Sequence, residues 1–207
     1  MSIPKNHYFT PTPAVASRPR SVRLRLAADE AVELATDRGV FGYRGVDLGT
    51  SILLREAPAP PAVGDLLDLG SGYGPIAIAI ARRSPGATVW AVDVNERAVE
   101  LAALNAEAAG LTNLRSVRPE DVPASVRFAA IYSNPPVRVG KAALHELLET
   151  WLARLEPAGR AYLVVQRHLG SDSLQRWLES TGWPAERVAA RSGYRVLRVQ
   201  SMPGGAR

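Results

Sequence analysis

At 207 residues, with 46% apolar and 22% charged side chains, the chain is long enough for one well-buried core and has the balance of a water-soluble globular protein. Its positive charge is almost all arginine, since Lys5 and Lys141 are the only lysines; the net +5 suits a polyanionic partner, though genomic base composition, which would also account for the abundant Ala, Pro and Gly, gives the same bias. No apolar run approaches the roughly 18 residues that span a bilayer, MSIPKNHYFTPTP lacks a signal-peptide core, and cysteine is absent, which excludes membrane spans, disulfides and thiolate metal sites.

Pro4, Pro11, Pro13 and Pro19 mark the first twenty residues as an extended arm. In SVRLRLA, Val22, Leu24 and Leu26 alternate with Arg23 and Arg25, the period of a half-buried strand whose arginines face water. AVELATDRGVFGYRGVDLGT reads as short strands broken by turns at Gly39, Gly42, Gly45 and Gly49, with Phe41 expected in the core. A short helix is expected over SILLREA, stopped by Pro58, Pro60 and Pro61.

From Gly64 onward strands and helices alternate. DLLDLG is a strand, PIAIAIARR a helix with Pro75 in its first turn, and TVWAVD a second strand. Asn95 caps a helix through Glu107, followed by strands LRSV and FAAIYS. AALHELLETWLARL carries a helical apolar stripe, RAYLVVQ is a fifth strand, SLQRWLES a helix, and RVAAR and YRVLRV two closing strands joined through Ser192-Gly193. The pattern predicts an α/β fold with a doubly wound, mostly parallel sheet. The last strand should run antiparallel, because its connection is too short for a crossover. Residues 1–60 are expected to form an N-terminal arm and β-rich extension packed on a core of 61–207. No metal is expected, because His7, His145 and His168 make no ligand pair.

Two stretches carry chemistry. Asp68-Leu69-Gly70-Ser71-Gly72-Tyr73-Gly74 joins a strand to a helix, and Asp93 ends the next strand about 20 residues on, where a carboxylate accepts hydrogen bonds from ribose hydroxyls. The G-x-G-x-G spacing with Asp68 in front suits a nucleoside carrying an amino acid rather than a pyrophosphate. That pattern resembles S-adenosylmethionine-dependent methyltransferases, so S-adenosylmethionine is the expected cofactor. Asp68 would face its ammonium, and Glu120 or Asp121 after the third strand would flank its adenine. The second stretch is Ser133-Asn134-Pro135-Pro136-Val137, where two prolines fix the backbone and remove donors, leaving the Asn134 side-chain oxygen and the Pro135 carbonyl as acceptors. Two acceptors holding the hydrogens of an exocyclic amino group would turn its delocalised lone pair toward a methyl donor. Arg138 and Lys141 are candidates for phosphate contact, and Tyr43 for stacking on a base.

DLGSGYG, AVDVN and SNPPVRVGK, with HYF near the start, GVFGYRGVDLGT and SGYRVLRV, resemble the methyltransferase small-domain family over nearly the whole chain. That resemblance implies a Rossmann-like class I methyltransferase, with Asp68, Gly70, Gly72, Gly74, Asp93, Asn95, Asp121, Thr50 and Asn134 at the cofactor. Asn134, Pro135 and Pro136 would be catalytic, and Tyr43, Val137, Arg138 and Lys141 would meet the substrate. It further implies guanine-N2 methylation of ribosomal RNA in the small subunit. The lack of an apolar span and of a signal-peptide core sets the expectation of a cytoplasmic protein, and a monomer is favoured over an oligomer without the sequence deciding it. Protein glutamine-N5 methylation, DNA adenine methylation and a catalytically idle RNA-binding assembly module are the alternatives. Val137 stands where many amino-directed relatives carry an aromatic residue, so the stacking partner is not identified by sequence.

Overall fold

The computed structural model describes residues 12–13, 15–26 and 30–202. The HYF segment and most of the proline-rich arm lie outside the described residues. The first described elements are two antiparallel strands, β1 (Arg20–Arg25) and β2 (Ala31–Thr36). Val22, Leu24 and Leu34 face inward while Arg23 and Arg25 face water, as the alternation predicts. The pair packs into the same apolar cluster as Ile52, Leu53 and Ile78. Asn105 clasps it from the far side: Oδ1 accepts the Ala35 N–H at 2.7 Å and Nδ2 donates to the Ala35 carbonyl at 2.8 Å.

Residues 31–50 give one strand, then turns, rather than several short strands. The following helix, α1 (Leu48–Glu56), begins three residues before the predicted SILLREA because Asp47 caps it. Asp47 Oδ2 accepts the Gly49 and Thr50 N–H groups at 2.7 and 3.3 Å, meeting two of the donors that a helix start leaves unpaired.

The remaining elements alternate as expected: β3 (Val63–Leu69), α2 (Pro75–Arg83), β4 (Gly86–Val92), α3 (Glu96–Ala108), β5 (Leu114–Val117) and β6 (Phe128–Ser133). Then come α4 (Lys141–Leu152), β7 (Leu155–Gln166), α5 (Ser171–Ser180), β8 (Ala185–Arg191) and β9 (Tyr194–Gln200). β7 starts five residues before RAYLVVQ, across a register shift where Ala158 takes a positive φ of 65° and Gly159 lies too near the Phe128 carbonyl for any side chain.

The sheet order is β5-β4-β3-β6-β7-β9-β8. Pairings from β5 through β7 are parallel, and β9 runs antiparallel to both β7 and β8. The tight Ser192-Gly193 link, with positive φ at both residues (47° and 80°), explains that reversal. Chain direction across the sheet switches between β3 and β6, so their carboxyl ends diverge into loops on opposite sides and leave a crevice. Ser133 Oγ donates to the Leu69 carbonyl at 2.7 Å and fastens those two strand ends together.

Candidate functional site

At the carboxyl ends of β3, β4 and β6 lies a cavity of about 410 Å³. The glycine loop, the Val40–Asp47 turns, the Asn134–Arg138 ledge and Tyr194 contribute to its wall. The loop turns through Gly70, Gly72 and Gly74, whose φ angles of 75°, 55° and 90° are left-handed and favour glycine. A Cβ on Gly74 would come within 3.1 Å of Ala102 Cβ, so this glycine seats α2 against α3 rather than meeting the cavity. Gly70 differs: nothing among the described residues lies within 4 Å of its missing side chain, which leaves its backbone open to an occupant.

Asp93 binds the loop to the next strand. Its Oδ2 accepts the Gly72 N–H at 2.8 Å and its Oδ1 the Asn95 N–H at 2.9 Å. Desolvation pushes this carboxyl above its ordinary range despite those N–H groups. Asn95 caps α3 through the Arg97 and Ala98 N–H groups and donates to the Gly39 carbonyl at 2.8 Å. Volume, an uncovered glycine backbone, a wall carboxylate and the apolar Val40 and Ala98 together fit a nucleoside-sized group with hydroxyls to bind.

Asp68 does not line this cavity, contrary to the expectation that it faces the cofactor's ammonium. It is fully buried, its Oδ2 accepts the Ala77 N–H at 2.8 Å inside the first turn of α2, and its Oδ1 has no partner among the described residues. Burial pushes its carboxyl up to about 8, with the nearby Asp93 charge adding and the Ala77 N–H opposing. Because the folded value lies above the unfolded 3.8, the folded protein holds a proton that the unfolded chain has released, so stability falls as pH rises from about 4 through about 8. Thermal melts should show that decline, and Asp68→Asn, which keeps an acceptor for Ala77, should remove most of it. An unchanged slope in the variant would place the titrating group elsewhere.

The ledge after β6 is built by its prolines. Pro136 has φ −75° and ψ 68°, and the Val137 N–H donates to the Pro135 carbonyl at 2.8 Å, which is an inverse γ-turn that the pyrrolidine ring presets. One lone pair of that expected acceptor is therefore already engaged and one is left. Asn134 Nδ2 donates to Asp47 Oδ2 at 2.8 Å and to Thr50 Oγ1 at 3.2 Å. A carboxylate only accepts, so the nitrogen end of the amide must face it. The Asn134 oxygen is left without a partner among the described residues, at the cavity wall. Thr50 thus reaches the site by holding Asn134, and lines a smaller recess beside the glycine loop.

Asp47 and Tyr194 are the site residues that sequence reasoning passed over. Tyr194 packs over the start of α1, so that a Cβ on Gly49 would lie 2.8 Å from its ring. Burial and the Asp47 carboxylate raise the Tyr194 hydroxyl above its ordinary range, with Arg138 opposing. Val137, Arg138 and Tyr43, the expected substrate contacts, line the cavity, with the Arg20 guanidinium 5.5 Å from the centre of the Tyr43 ring. Phe41 is 42% exposed and lines the cavity rather than filling the core. Lys141 is exposed at the first position of α4 and Asp121 is exposed in a short 3-10 turn with Arg118; neither lines the cavity.

A seven-stranded sheet of this order with a nucleoside-sized cavity at its switch point defines an S-adenosylmethionine-dependent methyltransferase. The methyltransferase small domain family model matches residues 31–198, and the chain belongs to that family. It is 33% identical over 199 residues to the uncharacterized protein YbxB of Bacillus subtilis, covering 95% of this chain and 98% of that protein. Ribosomal RNA small subunit methyltransferase C of Pseudomonas aeruginosa is 32% identical over 178 residues, 84% of this chain and 52% of that protein. The Thermus thermophilus 16S rRNA N2 G1207 methyltransferase, solved with AdoMet and guanosine, superposes with a TM-score of 0.75 at 27% identity, covering 91% of this chain. The chain spans about half the length of that enzyme and of the Pseudomonas one (52% of each).

Proposed function

We propose that this chain methylates the exocyclic N2 of a guanine in small-subunit ribosomal RNA, using S-adenosylmethionine. The observation that carries the reading is the Asn134 amide, locked by Asp47 and Thr50 with its oxygen left to the cavity. The names of the relatives support the choice of guanine and of ribosomal RNA. Gly70, Gly72, Asp93 and Asn95 would hold the cofactor, with Thr50 beside them; Asp68 and Gly74 support the loop from behind. Bound there, the cofactor supplies an electrophilic methyl group on a sulfonium.

The amino group of guanine is a weak nucleophile because its lone pair is shared with the ring. Asn134 Oδ1 and the second lone pair of the Pro135 carbonyl take its two hydrogens. That rehybridises the nitrogen and aims its lone pair at the methyl. Neither acceptor is basic enough to keep a proton, so the proton displaced from nitrogen passes to solvent. Rate then comes from alignment, which is worth several kcal/mol in an oriented site. Pro136 keeps the ledge rigid, Val137 and Tyr43 give the base apolar surface, and Arg138 meets a flanking phosphate. Residues 61–207 form the transferase core in this reading, and the extension before it supplies one cavity wall. A paired guanine hides its amino group in the minor groove, so the target base is unpaired or extruded.

Incubation with methyl-tritiated cofactor and either ribosomal RNA, 30S particles, DNA or protein, followed by digestion, tests the reading. Label is expected in N2-methylguanosine. Label confined to N6-methyladenosine or N5-methylglutamine overturns it and leaves the family and fold standing.

A further inference from the structure

The acceptor side of the cavity holds a carboxylate that the reaction above uses only in part. Asp47 Oδ2 is saturated, taking the Gly49 and Thr50 N–H groups and Asn134 Nδ2. A hydroxyl or an amide oxygen would cap α1 equally well, so capping does not account for a second oxygen. No donor among the described residues reaches Oδ1, and the residue lines both the main cavity and the recess beside the glycine loop. The Asn134 side chain, with its own free oxygen, is one hydrogen bond away at 2.8 Å. The site thus sets two acceptors side by side, one of them unable to donate when ionised.

We propose that Asp47 reads the ring N1–H of the acceptor guanine through Oδ1, while Asn134 Oδ1 takes a hydrogen of the adjoining 2-amino group. This assignment rests on the guanine-N2 reading and makes Asp47 its specificity determinant. Guanine alone among the four bases presents a ring N–H directly beside its amino group. Adenine and cytosine present an amino group beside a ring nitrogen lone pair, which would point at the Asp47 lone pairs. A site built around a substrate N–H rejects the analogue lacking it far more strongly than an apolar pocket rejects a missing methylene. The choice of base is therefore made by a residue that the helix start already holds rigid.

Guanosine and 2,6-diaminopurine riboside separate this from a capping role, since both carry the 2-amino group but the second has a lone pair at N1. Their binding, with adenosine as a third probe, is measured by NMR titration of the protein saturated with S-adenosylhomocysteine. The wild-type protein is expected to prefer guanosine over the diaminopurine riboside by roughly tenfold or more, the scale of one well-formed base-edge contact. Asp47→Asn keeps an oxygen for the cap and turns the free position into a donor, so the preference should collapse or invert. S-adenosylhomocysteine affinity and melting temperature should hold. Asp47→Ser, which caps with a hydroxyl, should lose guanosine affinity without gaining the analogue, and it guards against a repacked amide. If guanosine still binds and both variants keep the wild-type preference, Asp47 is only a cap and the guanine-N2 reading stands. Wild-type protein that binds adenosine and not guanosine overturns the guanine reading and this assignment together.

Discussion

Asn134→Ala should lower methyl transfer on the order of a hundredfold or more, as removal of one oriented polar group does in other active sites. Affinity for S-adenosylhomocysteine should change only a few-fold. The reason is positional: Asn134 spends its nitrogen on Asp47 and Thr50, and its oxygen is what remains for the substrate in the proposed reaction. Loss of the side chain removes the oriented acceptor but leaves Asp47 on the N–H groups of α1, so the helix start survives and the melting temperature should move little. Asn134→Asp is not a conservative rescue. It would place a second carboxylate at the 2.8 Å contact with Asp47, where like charges cannot both ionise. Its residual turnover should therefore rise as pH falls and one of the pair takes a proton. Single-turnover rates with guanine-containing RNA, beside calorimetry with the product cofactor, check both variants. Turnover equal to wild type in Asn134→Ala would reduce the ledge to a strand-ending turn.

The parts of this site legible in the sequence are those whose role is local. Pro75 at a helix start, Asn95 as a cap and the Gly70–Gly74 turn announce themselves within a few residues, because steric and capping rules act at that range. Asp47 stands in the sequence only as part of GVFGYRGVDLGT, one of the stretches that carry the family resemblance. Its contact with Asn134 spans 87 positions and exists because β6 and the start of α1 converge at the switch point. Tyr194 was hidden in the same way, since the return of β9 beside β7 places it over Gly49. Asp68 shows the opposite error. Its type and place fit a cofactor ligand, but the strand carries its side chain beneath the loop, where the Ala77 N–H takes it. Phe41 looked like core because it is large and apolar, yet the turns around Gly42 lift it to the rim, and a Cβ at Gly42 would press on the Tyr73 ring at 2.9 Å.

Asp93→Ala should weaken S-adenosylmethionine binding by roughly 1.5–3 kcal/mol, the scale of hydrogen bonds to a charged group. Two losses contribute. The carboxylate would no longer accept from the cofactor's ribose, and the Gly72 N–H that it holds at 2.8 Å would be released, loosening the turn. The two can be separated. Asp93→Asn cannot restore the wild type, because Gly72 and Asn95 each present an N–H to a different carboxylate oxygen. Whichever way the amide turns, its own NH₂ meets one of those donors, so the asparagine variant should bind no better than the alanine one. A cofactor analogue lacking the ribose 2′-hydroxyl then isolates the direct contact. If Asp93 binds the ribose, removing that hydroxyl weakens the wild-type protein and has little further effect on Asp93→Ala, a coupling that calorimetry reads as non-additivity. Additive losses would mean that Asp93 acts only by shaping the loop, and unchanged affinity in a folded Asp93→Ala protein would remove it from the cofactor site altogether.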